Sequence, residues 1–304
     1  MNLTVLGSQG AIPKLGKYST SLLLNISNSN ILIDCCEGVQ HQLRKYKIKL
    51  SKIDIILISH AHGDHYFGLI GLISTLSLLK RDKKLIVFCP TSVLKIIQSH
   101  IKHSKMRLNY DLELKSLNNQ SEKIIFEDFN FIITAFPLKH SVYTNGFRIE
   151  EKKKRRKLLL NKAIEFKIDK VYFNKLTKSE NVLNQDGEEI DYLKVTTEGP
   201  KSKSFAYCSD TAYFDKLADY IKCVDLLYCE TTFLEKDKDK ALSTLHSTTK
   251  DAANLANKGA VKQLLIGHFS KRYKDTSVLL KETKRKFTNT IKAKSGLEID
   301  FQDL

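Results

Sequence analysis

Three histidines and one aspartate stand within six positions in Ser59-His60-Ala61-His62-Gly63-Asp64-His65. The chain has only 9 histidines, so this is a concentration and not background. Imidazole nitrogen and carboxylate oxygen are donors that Zn²⁺ takes at roughly 2.0–2.2 Å. Four of them in one turn exceed what a single tetrahedral site needs, which points to two metals sharing the loop. A His-rich surface turn is the plain alternative. The almost wholly apolar run 54–58 argues against it, because it ends at the cluster and reads as a buried strand, a rigid mount for ligands. Two metals need further donors, and three later residues each cap an apolar run. His140 follows Phe136-Pro137-Leu138-Lys139, Asp210 follows Phe205-Ala206-Tyr207-Cys208-Ser209, and His268 follows Leu264-Leu265-Ile266-Gly267. Singly each reads as a turn residue or a satisfied histidine; with the cluster they form a set.

Donors scattered this widely must be gathered by a sheet framework. Short apolar runs at 3–6, 21–26, 31–33, 85–89, 129–137, 205–209, 226–229 and 263–266 read as strands. The turn formers Ser27, Asn28, Ser29 and Asn30 predict a hairpin. Residues 68–79 keep apolar positions at helical spacing and predict a core helix. Helices are also expected at 92–101 and at 251–257, with Gly259 as the stop. The alternation predicts an α/β chain, one domain of two similar halves, with no strict repeat and no clear linker.

A hydrophobic content of 42% excludes a disordered chain. The net charge of +16 suits a polyanionic partner, since each neutralised phosphate releases counterions; a lysine-rich proteome explains it equally. The first residues lack a basic n-region and a long apolar h-region, so a cytoplasmic protein is expected. The longest apolar stretch, 67–79, is broken by Gly68, Gly71, Ser74, Thr75 and Ser77, so no membrane span is expected. The 6 cysteines form no CxxC pair, and reduced, mostly buried thiols are the simpler reading. Lys152-Lys153-Lys154-Arg155-Arg156-Lys157 is a dense basic run, either a solvated helix surface or a phosphate-contacting patch. Gly16-Lys17 does not complete a P-loop, although Lys14, Lys17 and Ser19 could face phosphates or belong to an ordinary surface loop.

Taken together the motifs resemble the metallo-β-lactamase superfamily, and within it ribonuclease Z. The carriers are 6–13 (Leu-Gly-Ser-Gln-Gly-Ala-Ile-Pro), 33–40 (Ile-Asp-Cys-Cys-Glu-Gly-Val-Gln), the HxHxDH cluster, and Pro137-Leu138-Lys139-His140-Ser141-Val142. They continue with Ser209-Asp210-Thr211, Glu230-Thr231-Thr232-Phe233, His246-Ser247-Thr248 and Gly267-His268-Phe269-Ser270. The resemblance implies an αββα four-layer sandwich and a zinc-dependent endoribonuclease that removes the 3′ trailer from precursor tRNA, leaving a 3′-hydroxyl. It implies two Zn²⁺ per subunit: His60, His62 and His140 on one, Asp64, His65 and His268 on the other, and Asp210 bridging. Asp64 is implied as proton acceptor for the attacking water. Glu230 and His246 are implied as a charged pair at the leaving oxygen, with a purely structural His246 as the alternative. A homodimer is implied as well. The chain departs from the family pattern at Cys36, Val39, Tyr228, Cys229 and Thr231. The larger departure is 150–199, where many bacterial members carry a Gly/Pro-rich tRNA-binding arm. Here a basic insertion stands instead, and Lys152, Lys153, Arg155 and Arg156 are the expected substrate contacts. A small-substrate hydrolase on the same fold, and a non-catalytic RNA-binding module, are the competing readings.

Overall fold

The computed structural model describes residues 1–12 and 14–304; Pro13, the last residue of the opening-loop motif, lies outside the described residues. The described chain forms two compact units, Met1–Glu150 with Lys203–Leu304, and Glu151–Ser202.

The larger unit holds two seven-stranded sheets. The first runs, from one edge to the other, through strands Glu298–Asp300, Asn2–Gly7, Ser21–Ile26, Ser29–Ile33, Ile53–Leu57, Leu85–Pro90 and Leu112–Leu117. The second runs through Thr290–Lys292, Gln263–Gly267, Leu226–Glu230, Ser204–Cys208, Asn145–Glu151, Phe131–Pro137 and Lys123–Glu127. Side chains alternate across a strand, so each central strand can bury both faces. Leu22, Leu24, Ile31, Ile33, Ile55 and Leu57 point inward and meet Phe147, Phe205, Tyr207, Leu226, Tyr228 and Leu265 of the facing sheet. Their neighbours Leu23, Leu32 and Ile56 point outward under helix Gly68–Leu78 and helix Val39–Lys45. On the other outer face Ala206, Leu227, Leu264 and Ile266 lie under helices Thr249–Lys258 and Ser277–Lys284. The result is the αββα sandwich. No helix among the described residues is long and apolar enough to cross a membrane.

Local chemistry sets several boundaries. The hairpin turns at Ser27 and Asn28, both with positive φ, so the second strand starts at Ser29. The strand expected from 129 begins at Phe131, because Asp128 accepts hydrogen bonds from the Asn130 and Phe131 amides and holds a turn that leaves Phe129 exposed. Gly68 admits the chain against the carbonyl of Cys36, where a Cβ would lie 2.1 Å from that oxygen. All six cysteines are free thiols, and only Cys223 is exposed.

The smaller unit has its own core of Ala163, Ile168, Leu176, Val182, Ile190 and Val195. Two two-stranded ladders, Lys157–Leu158 with Thr196–Thr197 and Val182–Leu183 with Glu189–Ile190, accompany helices Leu160–Glu165 and Phe173–Thr177. The basic insertion expected at 150–199 falls on this unit.

Candidate metal centre

The seven expected ligands come together at strand ends of the larger unit. His60, His62, His140 and Asp210 form one group, and Asp64, His65 and His268 a second. Asp210 faces both. Its Oδ2 lies 3.7 Å from His60 Nε2 and 3.9 Å from His140 Nε2. Its Oδ1 lies 3.4 Å from His65 Nε2 and 3.3 Å from His268 Nε2. Asp64 Oδ2 lies 3.3 Å from His65 Nε2 and 3.8 Å from His268 Nε2. One carboxylate thus offers an oxygen to each group, as a bridging ligand must.

Four of the five rings are aimed by a partner on the other nitrogen. His65 Nδ1 lies 2.7 Å from Asp34 Oδ2, His268 Nδ1 2.8 Å from Thr232 Oγ1, His140 Nδ1 3.0 Å from the Leu245 carbonyl, and His60 Nδ1 2.9 Å from Ser59 Oγ. Such partners fix tautomer and direction. Asp34 is itself fully buried and accepts from the Ser59 amide, the Ser59 hydroxyl and, at 2.6 Å, the Tyr207 hydroxyl. Asp34, Asp210 and His268 all carry φ between 55° and 59°, a left-handed kink just past a strand end that turns the side chain across the sheet edge. Leu245 has the same kink at the end of helix Lys238–Thr244, immediately before His246.

The electrostatics fit bound cations. Burial holds the His60, His62 and His140 imidazoles toward their neutral, ligating form. Burial pushes Asp64 and Asp210 upward, but surrounding imidazoles outweigh it and hold both well below the usual carboxylate range. His65 goes the other way: burial lowers it, yet Asp210, Asp34 and Asp64 keep a proton on it. A metal can take the place of that proton, because imidazole ligates only when deprotonated. His65 Nε2, His268 Nε2 and Asp64 Oδ2 are buried with no hydrogen-bond partner. Buried polar atoms left unpaired cost roughly 1–3 kcal/mol each, and these three face one another. The residues present therefore fit a metal.

Beside the cage, His246 Nδ1 lies 2.8 Å from Glu230 Oε1, and Glu230 also accepts from the Thr211 amide at 2.7 Å. Thr232 donates to Glu230 Oε2 and touches His268, so one hydroxyl ties this pair to a ligand. Burial lowers the His246 imidazole, but Glu230 overcomes it and lifts it to about 9. A cavity of about 820 Å³ opens over the cage, and its wall includes His62, Asp64, His140, Asp210, His246 and His268.

The four basic residues expected to touch substrate lie in the smaller unit. Arg156 Nε donates to Thr196 Oγ1 at 2.7 Å, with its guanidinium 5.1 Å from the Tyr192 ring centroid. Arg155 reaches Asn174 Oδ1, and Lys154 pairs with Glu151 at 3.2 Å. The two arginines therefore hold their own unit together, while Lys152 and Lys153 are exposed to solvent to differing degrees. In the opening loop, Lys14 Nζ donates to the Lys271 carbonyl and Ser19 Oγ to the Gly10 carbonyl, so both brace the loop. Asp34, Thr232 and Leu245 had no assigned role in the sequence; for Asp34 a signal existed, since it too ends an apolar run.

Residues 1–185 match the family model described as Anti-Pycsar protein Apyc1. Curated relatives span nearly the whole chain. Ribonuclease Z of Bacteroides fragilis is 35% identical over 97% of this chain and 97% of its own length. Ribonuclease Z of Cytophaga hutchinsonii is 39% identical over 97% and 94%. Among solved structures, human tRNase Z, short form, aligns with TM-score 0.72 at 24% identity over 99% of both chains. The metallo-β-lactamase fold protein YhfI of Bacillus subtilis aligns with TM-score 0.69 at 19% identity over 98% of this chain and 99% of its own.

Proposed function

The chain belongs to the ribonuclease Z family, and on that footing we propose that it is a zinc-dependent endoribonuclease that removes the 3′ trailer from precursor tRNA. The observation that carries the reading is the pairing of seven candidate ligands, with Asp210 facing both groups, and a His246 that lies on the same cavity wall and is held by Glu230 behind it.

His60, His62, His140 and Asp210 would hold one Zn²⁺; Asp64, His65, His268 and Asp210 the other. Two such ions supply Lewis-acid charge to phosphoryl oxygens and acidify water at the site. Asp34, Thr232, Leu245 and Ser59 keep four of the rings aimed, so little reorganises when substrate arrives. Asp64, already ionised, is placed to take a proton from the attacking water. Glu230 holds Nδ1 of His246 and leaves Nε2 to give a proton to the departing 3′-oxygen. In the smaller unit Lys152, Lys153, Arg155 and Arg156 are read as the tRNA grip, with the arginines also shaping the unit. The same reading makes the protein a cytoplasmic homodimer; sedimentation of the purified protein checks the dimer.

A small-substrate phosphodiesterase is the second reading, favoured by the match of residues 1–185 to a family model not named for RNA processing. One experiment separates them: cleavage of a 3′-extended precursor tRNA, with Asp64→Ala as control and zinc content measured alongside. A single cut at the trailer junction, lost in the variant, supports the endoribonuclease. No cut by a protein carrying two zincs turns the reading toward a small diester.

A further inference from the structure

The cavity over the cage is larger than one diester requires; about 820 Å³ lies in the upper range of volumes that enclose a whole drug-sized ligand. Besides His246, three cationic side chains outside the cage line it: Lys240, Lys271 and Arg272. Arg272 is committed elsewhere, with Nη1 2.9 Å from Asp237 Oδ1 and its guanidinium 5.7 Å from the Phe233 ring centroid. Lys240 and Lys271 differ. Among the described residues neither ammonium forms an ion pair, whereas Lys250 and Lys258, close to Lys240 in sequence, are paired with Glu235 and Asp215. An unpaired lysine is ordinary in a chain with 50 Lys plus Arg against 34 Asp plus Glu. Two on the wall of the cavity that holds the scissile chemistry are not accounted for by that excess.

Their mounts are built. Lys240 sits on helix Lys238–Thr244, where its carbonyl accepts from Ser243 Oγ at 3.0 Å and Thr244 Oγ1 at 2.8 Å. The Lys271 carbonyl accepts from Lys14 Nζ at 3.1 Å, and nearby the Gly10 amide donates to the Phe269 carbonyl at 3.0 Å. Both backbones are fixed while both ammonium groups stay available. Ser141 and Ser270 lie along the same wall, and hydroxyl side chains contact phosphate and sugar oxygens without reading sequence.

We propose that Lys240 and Lys271 form a phosphate clamp that holds the diesters flanking the scissile one, so that the cavity selects a strand with consecutive phosphates over an isolated diester. This deepens the endoribonuclease reading and rests on its substrate being an RNA strand.

The test compares the zinc-loaded enzyme with Lys240→Gln, Lys271→Gln and the double variant on two substrates, 3′-extended precursor tRNA and bis(p-nitrophenyl) phosphate, which has a single phosphate. A short single-stranded RNA serves as competitor in the second assay. Each single change is expected to lower kcat/KM on the precursor by roughly fivefold to tenfold, through KM, and to flatten its salt dependence by about one unit of slope. Preference for precursor over the small diester should fall by roughly 30-fold in the double variant, with competitor inhibition weakened to match. Lys240→Arg and Lys271→Arg should restore it. Equal losses on both substrates, or an unchanged salt slope, overturn the clamp. A wild type that cuts no precursor, but whose inhibition by RNA still depends on both lysines, refutes the tRNA reading and keeps the clamp.

Discussion

The metal cage and the 151–202 unit both concentrate charge, but they hold it by opposite means. In the cage, Asp34, Asp210, His60, His65 and His268 are almost wholly buried, and nearly every polar atom has either a hydrogen-bond partner or a ligand's outlook onto its neighbours. In the smaller unit the run 152–157 is mostly solvent-exposed, and its two arginines spend their hydrogen bonds on Asn174 and Thr196 of their own unit. Burying an ion costs several kcal/mol unless a partner compensates, so a buried cluster is over-determined and intolerant of change. Exposed cations are screened, individually weak and replaceable. The chemistry sits where a substitution is costly, and the proposed grip where it is cheap.

Removal of the bridge should break the contrast most severely. Asp210→Ala is expected to cut cleavage by more than about 10³-fold and to lower the zinc content, read together by kinetics and elemental analysis. Next comes the neighbouring pair: Glu230→Gln or His246→Gln should lose roughly 10²- to 10⁴-fold in kcat while the metal content stays at the wild-type level. Zinc lost from either variant would merge the pair with the cage. A finer cut is Asp34→Asn, since Asn tolerates the left-handed backbone that Asp34 occupies while it removes the charge behind His65 and one of the two acceptor oxygens. Zinc affinity should weaken about 10- to 100-fold, measured by chelator competition. In the smaller unit, changing Lys152 and Lys153 to Gln should weaken precursor binding several-fold and lower its salt slope by no more than about two. A larger effect would mean that exposed cations rival the cage.

The smallest effect tests an ion pair elsewhere in the larger unit. Burial pushes Asp225 up, but hydrogen bonds from Lys262 and Ser204 outweigh it and hold the carboxyl below its usual range. Its contribution is therefore present above the ordinary carboxylate pKa and lost as pH falls through the lowered value. Asp225→Asn should lower stability by about 1 kcal/mol at neutral pH, with the gap to wild type closing in acid. Urea midpoints against pH would record it.

The ligands were legible because each follows an apolar run, and a strand end is where a short chain segment can be both rigid and open. Most central strands were legible for the same reason, being buried on both faces; Asn145–Glu151 was not, because Arg148, Glu150 and Glu151 break its apolar run. Edge strands were not: Leu112–Leu117 and Lys123–Glu127 mix charged and apolar residues on half-exposed faces, so their pairing partner, and not their own pattern, makes them strands. Thr232 and Leu245 escaped because their roles lie in what folding places opposite them, a ring from 36 and 105 residues away in sequence respectively. Lys240 and Lys271 escaped among so many other lysines.

The ligands also come from both sheets: His60, His62 and His65 follow the strand Ile53–Leu57 of one, while His140, Asp210 and His268 follow strands of the other. Bound metal is then a clasp across the seam of the sandwich, and its occupancy is linked to the cohesion of the two halves. Each tenfold rise in the free metal ion above its dissociation constant adds about 1.4 kcal/mol against unfolding. The supply of that ion would thus set how long the protein survives as well as how fast it works.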